Sequence, residues 1–210
     1  MLENLFYLSE HDLDLKTLDE LLPAVSGHFD RNGDVHYDLL SCLQKSVRGS
    51  DPDAAIFWLS KILAGGDLIS ACRRLQVIAS EDIGCAYPMA AVITRAATES
   101  AKELGLPEAA IPLANATIVL ATAPKSNSAY TALAAARADL DAGRGVEVPE
   151  HLKSPLFKGY KYPHDYENSY VEQQYLPTDI KDHKYYTFGN NKTEQAARAY
   201  YEMIRRAGKS

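Results

Sequence analysis

His36-Tyr37-Asp38-Leu39-Leu40-Ser41-Cys42-Leu43-Gln44-Lys45-Ser46-Val47-Arg48-Gly49-Ser50-Asp51-Pro52-Asp53-Ala54-Ala55 is the stretch that decides how this chain folds. Leu39, Leu40, Leu43 and Val47 recur at helical spacing and give the first half one apolar face. Gly49 is the expected stop, since glycine enters the left-handed conformation without steric cost. On that reading Gly49→Val destabilises the joint by more than about 1 kcal/mol. Ser50 or Asp51 then caps a second helix, with Pro52 in its first turn, where no amide hydrogen is missed. The result is a tight αα-hairpin with Lys45 and Arg48 beside the joint.

Helical signals continue outward from the hairpin. Leu13, Leu15, Leu18, Leu21 and Leu22 predict a helix ending before Pro23, followed by a turn at Asp30-Arg31-Asn32-Gly33-Asp34. Beyond Pro52, the stripe Ala55, Ile56, Leu59, Ile62 and Leu63 runs to Gly65-Gly66, and Asp67 can cap the next helix. That helix carries Leu68, Cys72, Leu75, Val77 and Ile78 towards Gly84. A fourth starts at Pro88, with Val92, Ile93, Ala96, Ala97 and Leu104 as its inward stripe, and closes at Gly105. A fifth covers Pro107 to Thr122, with Pro112 expected to bend it or delay its start. A sixth starts near Ser126 and turns Tyr130, Leu133, Ala134, Arg137 and Leu140 inward, ending at Gly143. Alanine-rich segments with short glycine joints favour antiparallel helix packing.

Composition changes after Gly143. Nine of the 13 tyrosines follow it, and Pro149, Pro155, Pro163 and Pro177 break any long helix. Residues 144–190 therefore read as an irregular arm tied down by aromatic anchors. Thr193 to Arg206 reads as a last helix with Ala196, Ala197, Tyr200 and Ile204 inward. The fold class is all-α: a compact helical bundle, an irregular Tyr/Pro-rich arm and a final helix. The expected divisions are 1–30 (helix and turn), 31–143 (helical domain) and 144–210 (arm and final helix on the same domain).

The 210 residues carry a net charge of −6, unevenly spread. Residues 151–210 hold ten Lys and Arg against seven Asp and Glu, while residues 1–150 hold 12 against 21. An acidic body repels nucleic acid, so phosphate contacts must come from local clusters or from the tail. No apolar run approaches the roughly 20 residues of a membrane span, and Met1–Phe6 lacks a basic leader, so a cytoplasmic protein is expected. Cys42, Cys72 and Cys85 are odd in number and lie among apolar neighbours, which fits reduced thiols better than disulfides or metal ligands.

Longer strings carry a family resemblance. The hairpin itself, Ala79-Ser80-Glu81-Asp82-Ile83-Gly84, Leu120-Ala121-Thr122-Ala123-Pro124-Lys125-Ser126-Asn127-Ser128-Ala129-Tyr130, and Lys158-Gly159-Tyr160-Lys161-Tyr162-Pro163-His164-Asp165-Tyr166 occur in an order that resembles the C-terminal region of the RarA/MgsA family. These are AAA+ ATPases of replication-associated recombination, related to Werner helicase-interacting protein, and Asp51–Ile78 also looks like a clamp-loader collar. The resemblance spans about Asp30 to Tyr186, although the stretch from Pro149 to Lys158 is shorter than the family pattern. No Gly-x-x-x-x-Gly-Lys-[Ser/Thr] loop is present: Gly208-Lys209-Ser210 follows a helix, and Met203 stands where the first glycine belongs. The resemblance thus implies a fragment whose ATPase module, with its ATP and Mg, is missing, and residues 1–30 as lid remnant or linker. It implies a homotetramer, DNA at stalled or gapped forks, and fork proteins such as single-strand-binding protein as partners. The fragment itself is expected to need no cofactor and to catalyse nothing.

Several clusters could carry binding. Pro124-Lys125-Ser126-Asn127-Ser128 combines free helix amides, cap residues and a cation, so it suits an anion, and ordinary capping explains the same residues. Lys158, Tyr160 and Lys161 mix charge with rings, as single-strand binders do; the plainer alternative is tyrosines laid on the helical body. Lys45 and Arg48 suit a phosphate or a subunit seam, or simply the helix dipole. Of Arg73 and Arg74, one is expected in solvent and the other against Glu81 or Asp82 or a neighbouring chain. His164-Asp165 and Ser128 lack the partners that nucleophilic catalysis needs. The leading expectation is an oligomerisation and DNA-contact region; the alternative is a stand-alone single-strand nucleic-acid-binding module.

Overall fold

A computed structural model describes residues 34–155 and 158–207. The helix expected before Pro23, the turn preceding Asp34 and the terminal Gly208-Lys209-Ser210 lie outside them. All regular structure among the described residues is helical: α1 (Asp34–Arg48), α2 (Pro52–Ala64), α3 (Leu68–Ile78), α4 (Met89–Leu104), α5 (Ala110–Thr122), α6 (Ser128–Asp141) and α7 (Lys192–Ala207). None of these helices is long and apolar enough to cross a membrane. Contacts sort the chain into two units interleaved in sequence.

The first unit holds residues 34–78 and 92–122. Helix α1 packs on α2, α3 and α5, and α5 also meets α2 and α3. Leu43, Val47, Leu59, Ile62, Leu75, Ile78, Leu113 and Leu120 are fully enclosed. Each such aliphatic side chain contributes about 1.5–3 kcal/mol by leaving water. The hairpin forms where the sequence places it, but its stop works differently. Gly49 lies outside the left-handed region and Ser50 adopts it instead, at φ 59°. The Ser50 amide donates to Val47 O (3.0 Å) and the Asp51 amide to Ser46 O (3.0 Å), the paired bonds of a Schellman stop. Asp51 then caps α2, its carboxylate accepting from Ala54 N at 2.9 Å. Asp67 does the same for α3 through Ser70 N at 3.1 Å.

Two expectations in this unit are corrected. Within the unit, α4 buries Thr94, Thr98 and Ala101, whereas Val92 is 58% exposed and Leu104 56%. Small residues allow close helix approach, and the Thr98 hydroxyl bonds Arg95 O within its own helix (3.0 Å), so burial leaves it satisfied. Helix α5 begins at Ala110 rather than Pro107. Pro112 is its third residue, where a missing amide hydrogen costs nothing, so it marks the start instead of bending the helix.

The second unit holds residues 79–91 and 123–207. It opens with a π turn, Ala79–Ile83, followed by a 3-10 turn, Gly84–Ala86. From 144 to 190 the chain is irregular, as expected, with short 3-10 turns such as Pro163–Asp165 and Thr178–Ile180. Ile180 is the one buried apolar side chain described in that arm. The tyrosines anchor it through their hydroxyls more than through ring burial: Tyr185 bonds Asp139 at 2.7 Å and Tyr186 bonds Glu194 at 2.9 Å.

The inward stripes expected for the last two helices are also corrected. Tyr130, Leu133 and Leu140 of α6 are exposed, Leu133 at 70%, and Ser128 is the helix's buried residue. In α7 Ala196, Ala197 and Tyr200 face out, and Glu194 is buried. Apolar periodicity selected the wrong faces because polar side chains hold these two helices.

Candidate functional site

The second unit centres on a buried carboxylate. Glu194 is 1% exposed and accepts from the Ser128 hydroxyl (2.6 Å), Tyr186 hydroxyl (2.9 Å), Gly189 amide (3.0 Å) and Asn191 Nδ2 (2.5 Å). Burial raises its pKa, but bonds from Ser126, Ser128, Gly189 and Asn191 outweigh that and hold it at about 2. In turn, desolvation and the bond to this carboxylate push Tyr186 up to about 12. Asn191 is the cap of α7, its side-chain oxygen accepting from Glu194 N at 2.9 Å. Asn191-x-x-Glu194 is therefore a capping-box pattern. Periodicity places the helix start at Thr193, whereas the helix begins at Lys192, directly after this cap. That spacing was the available signal.

The two family strings meet at the same node. Ser126 N donates to Asp82 O at 2.8 Å. Gly84 sits at φ +45°, and a Cβ there would lie 2.8 Å from the Ser126 carbonyl oxygen. Only glycine tolerates both conditions. The Thr193 hydroxyl reaches Ala86 O at 2.8 Å, so α7 is tied to the same turn. Asp82 lies in the π turn, and Gly84 opens the 3-10 turn that follows it.

The predicted anion cluster is thus split. Ser126 and Ser128 serve the internal carboxylate, with Ser126 Oγ also accepting from Ser128 N at 3.3 Å. Asn127 occupies the cap position of α6, exposed and without a side-chain cap bond. Lys125 is half-buried, and its ammonium donates to Ala123 O at 2.6 Å. Burial lowers its pKa, while the nearby Asp82 carboxylate opposes that shift.

The basic arm lies elsewhere in this unit. Lys158 and Lys161 are exposed and Tyr160 half-buried. The Gln173 side chain clamps the Lys161 backbone, donating to its carbonyl at 2.7 Å and accepting from its amide at 3.2 Å, and also reaches the Tyr175 hydroxyl at 2.8 Å. A cavity of about 620 Å³ opens beside this clamp, bordered by Gln173, Tyr175, Lys181, Lys184, Tyr201 and Arg205 among others. At its edge the Tyr185 hydroxyl and His183 contact Asp139, at 2.7 and 2.6 Å, holding that carboxyl below its ordinary range.

In the first unit, Lys45 and Arg48 are exposed in the last turn of α1. Arg73 faces solvent as expected. Arg74 meets Gln44 (2.7 Å) instead of Glu81 or Asp82, tying α3 to α1. Among the described residues no group of three or more His, Cys, Asp or Glu could hold a metal ion.

Comparison with known proteins agrees with the resemblance. Residues 49–205 match the family described as MgsA AAA+ ATPase C terminal. Replication-associated recombination protein A of Bacillus subtilis is 46% identical over 205 residues, covering 93% of this chain and 49% of that protein. Its namesake in Escherichia coli K12 is 42% identical over 180 residues, 80% of this chain and 40% of that protein. ATPase WRNIP1 of Dictyostelium discoideum is 35% identical over 187 residues, 84% and 21% respectively. The chain spans about half the length, or less, of the curated relatives it matches. The hairpin joint, the Asp82–Gly84–Ser126 contact and the Lys158–Tyr166 arm all fall within the matched span, and the chain belongs to the MgsA AAA+ ATPase C-terminal family.

Proposed function

We propose that this chain is the oligomerisation and DNA-contact region of an AAA+ ATPase acting in replication, recombination and repair at stalled forks. Its work is mechanical: apolar helix faces gather copies, a tetramer by family resemblance, so that ATPase modules surround one DNA in the cytoplasm. ATP and Mg belong to those modules, and the chain alone hydrolyses nothing. DNA contact falls to Lys125 and Asn127 and to Lys158, Tyr160 and Lys161, Ser126 being buried and bonded to Glu194, while Lys45, Arg48, Arg73 and Arg74 serve subunit seams. Gapped or single-stranded DNA and single-strand-binding protein are the partners.

The observation that carries this reading is the outer face of α6. Tyr130, Leu133 and Leu140 fall on one helical stripe and are 52%, 70% and 64% exposed. An apolar stripe left in water favours association with a complementary surface. Light scattering of the purified chain tests it. An oligomer that Leu133→Glu with Leu140→Glu converts to a folded monomer is the expected result. A wild-type monomer at high concentration overturns the proposal. A second reading, a stand-alone single-strand-binding module, draws on the basic, aromatic arm at Lys158, Tyr160 and Lys161, and it predicts a monomer that still binds DNA.

A further inference from the structure

The second unit contains three cations that border one concavity, none of them in an ion pair among the described residues. Among the described residues, Arg144, Lys153, Arg198 and Arg206 each pair with an acid. Lys181, Lys184 and Arg205 border the 620 Å³ cavity, and no ion pair is formed by any of them among those residues. Arg205 is instead held by rings: its guanidinium lies 5.2 Å from the Tyr201 centroid and 5.6 Å from that of Tyr170, and it donates to the Tyr201 hydroxyl at 3.0 Å. Ring contacts fix the plane of a guanidinium without neutralising it, and four of its five N–H donors remain for another acceptor.

We propose that this cavity seats one nucleotide unit of a single DNA strand. Its phosphodiester engages Lys181, Lys184 and Arg205, and its base stacks on Tyr201 or Tyr175. The volume lies within the range of about 300–1,000 Å³ typical of small-ligand sites. Tyr175 and Tyr201 are 50% and 44% exposed, so ring surface is available. Glu172 and Asp182 also border the cavity, leaving the lining only weakly positive. Charge alone therefore attracts duplex poorly, and stacking, which only unpaired bases offer, supplies the remaining affinity. The Gln173 clamp places the Lys158–Lys161 segment next to the cavity wall, so the strand continues onto the basic arm. This inference rests on the DNA-contact reading above.

Fluorescence anisotropy of the full chain with a labelled oligothymidine and with a hairpin duplex tests it across a salt series. The single strand is expected to bind more tightly. Lys181→Ala with Lys184→Ala should weaken binding about tenfold and flatten the log K–log salt slope by up to about 0.7, one phosphate's worth. Tyr175→Leu, which leaves the Tyr201 contacts of Arg205 in place, should weaken it about tenfold with the slope unchanged, since stacking releases no counterions. Melting curves confirm that the variants fold, and Arg205→Lys gives an intermediate loss because charge survives while the planar fork does not. If the wild type binds the strand and all cavity variants match it, the cavity assignment fails while DNA contact stands. If the wild type binds no DNA, both fail. Competition by inorganic phosphate as strong as by the oligonucleotide would mark a plain anion site and overturn the proposal.

Discussion

The two units are held by opposite means. In the first, helices α1, α2, α3 and α5 enclose leucine, isoleucine and valine side chains, and polar groups serve mainly as caps and stops. In the second, the buried apolar residues are few and mostly small, Ala79, Ile83, Ala86, Ala90 and Ile180, and the ties are Asp82, Ser126, Ser128, Thr193 and Glu194. An apolar core tolerates change in proportion to lost area and volume. A hydrogen-bonded node fails when any one member leaves the others buried and unpaired. Substitutions and pH should therefore separate the units.

The largest effect is expected in the first unit. Leu75 is fully enclosed, and Leu75→Asp would place an unpaired charge among aliphatic side chains. It should abolish cooperative melting of this unit, whereas Leu75→Ala should cost about 2–5 kcal/mol. An unchanged denaturation curve for the aspartate variant would contradict the assignment of α3.

Glu194→Gln comes next, at on the order of 3 kcal/mol, because the amide keeps the shape but loses charge-assisted bonds to Ser128, Asn191 and Gly189. Amide exchange of α7 should accelerate while α1 and α2 stay protected, which distinguishes local release from global loss. Acid probes the same node without mutation. The folded pKa of about 2 lies below the ordinary 4.5, so the stabilisation is complete above about pH 4.5 and is lost as pH falls towards 2. The α7 signal should weaken in that window in the wild type and not in Glu194→Gln. Equal acid sensitivity in both proteins would assign the loss to other carboxylates.

This division also explains what the sequence disclosed. Leu39, Leu43, Val47, Leu59 and Ile62 announce their helices because an apolar core writes its period directly into the residue pattern. Asp51, Asp67, Gly105 and Gly143 mark boundaries by cap and stop chemistry that is local to a few residues. The second unit has no such script. Ser128 and Glu194 are 66 positions apart and polar, so periodicity ranked Leu133, Leu140 and Tyr200 as inward in their place. Ser126 and Lys125 were legible as an anion site, yet the anion that meets Ser126 and Ser128 comes from the chain itself. The cavity cations Lys181, Lys184 and Arg205 are brought together by an irregular arm whose path no local rule encodes.

A smaller effect tests the seam between the two family strings. Gly84→Ala adds a Cβ about to collide with the Ser126 carbonyl, at a φ that alanine disfavours. A loss of about 1–3 kcal/mol is expected, confined to the second unit. Retained stability would mean that the π turn can relax, and the contact would then be incidental.

The smallest effect is the most discriminating for the hairpin. Had Gly49 carried the left-handed turn, any side chain there would strain the backbone. Ser50 carries it, so Gly49→Ala meets no backbone strain of that kind but a tight Cβ contact 3.2 Å from Lys45 O, which must give by a few tenths of an ångström. That contact is offset by the lower entropy of the unfolded alanine chain, about 0.4–1 kcal/mol in favour of the variant. The two contributions oppose each other, and equilibrium denaturation should report a change within about 0.5 kcal/mol. A loss above about 1 kcal/mol would return the turn to Gly49, and with it the Schellman bonds now assigned to the Ser50 and Asp51 amides.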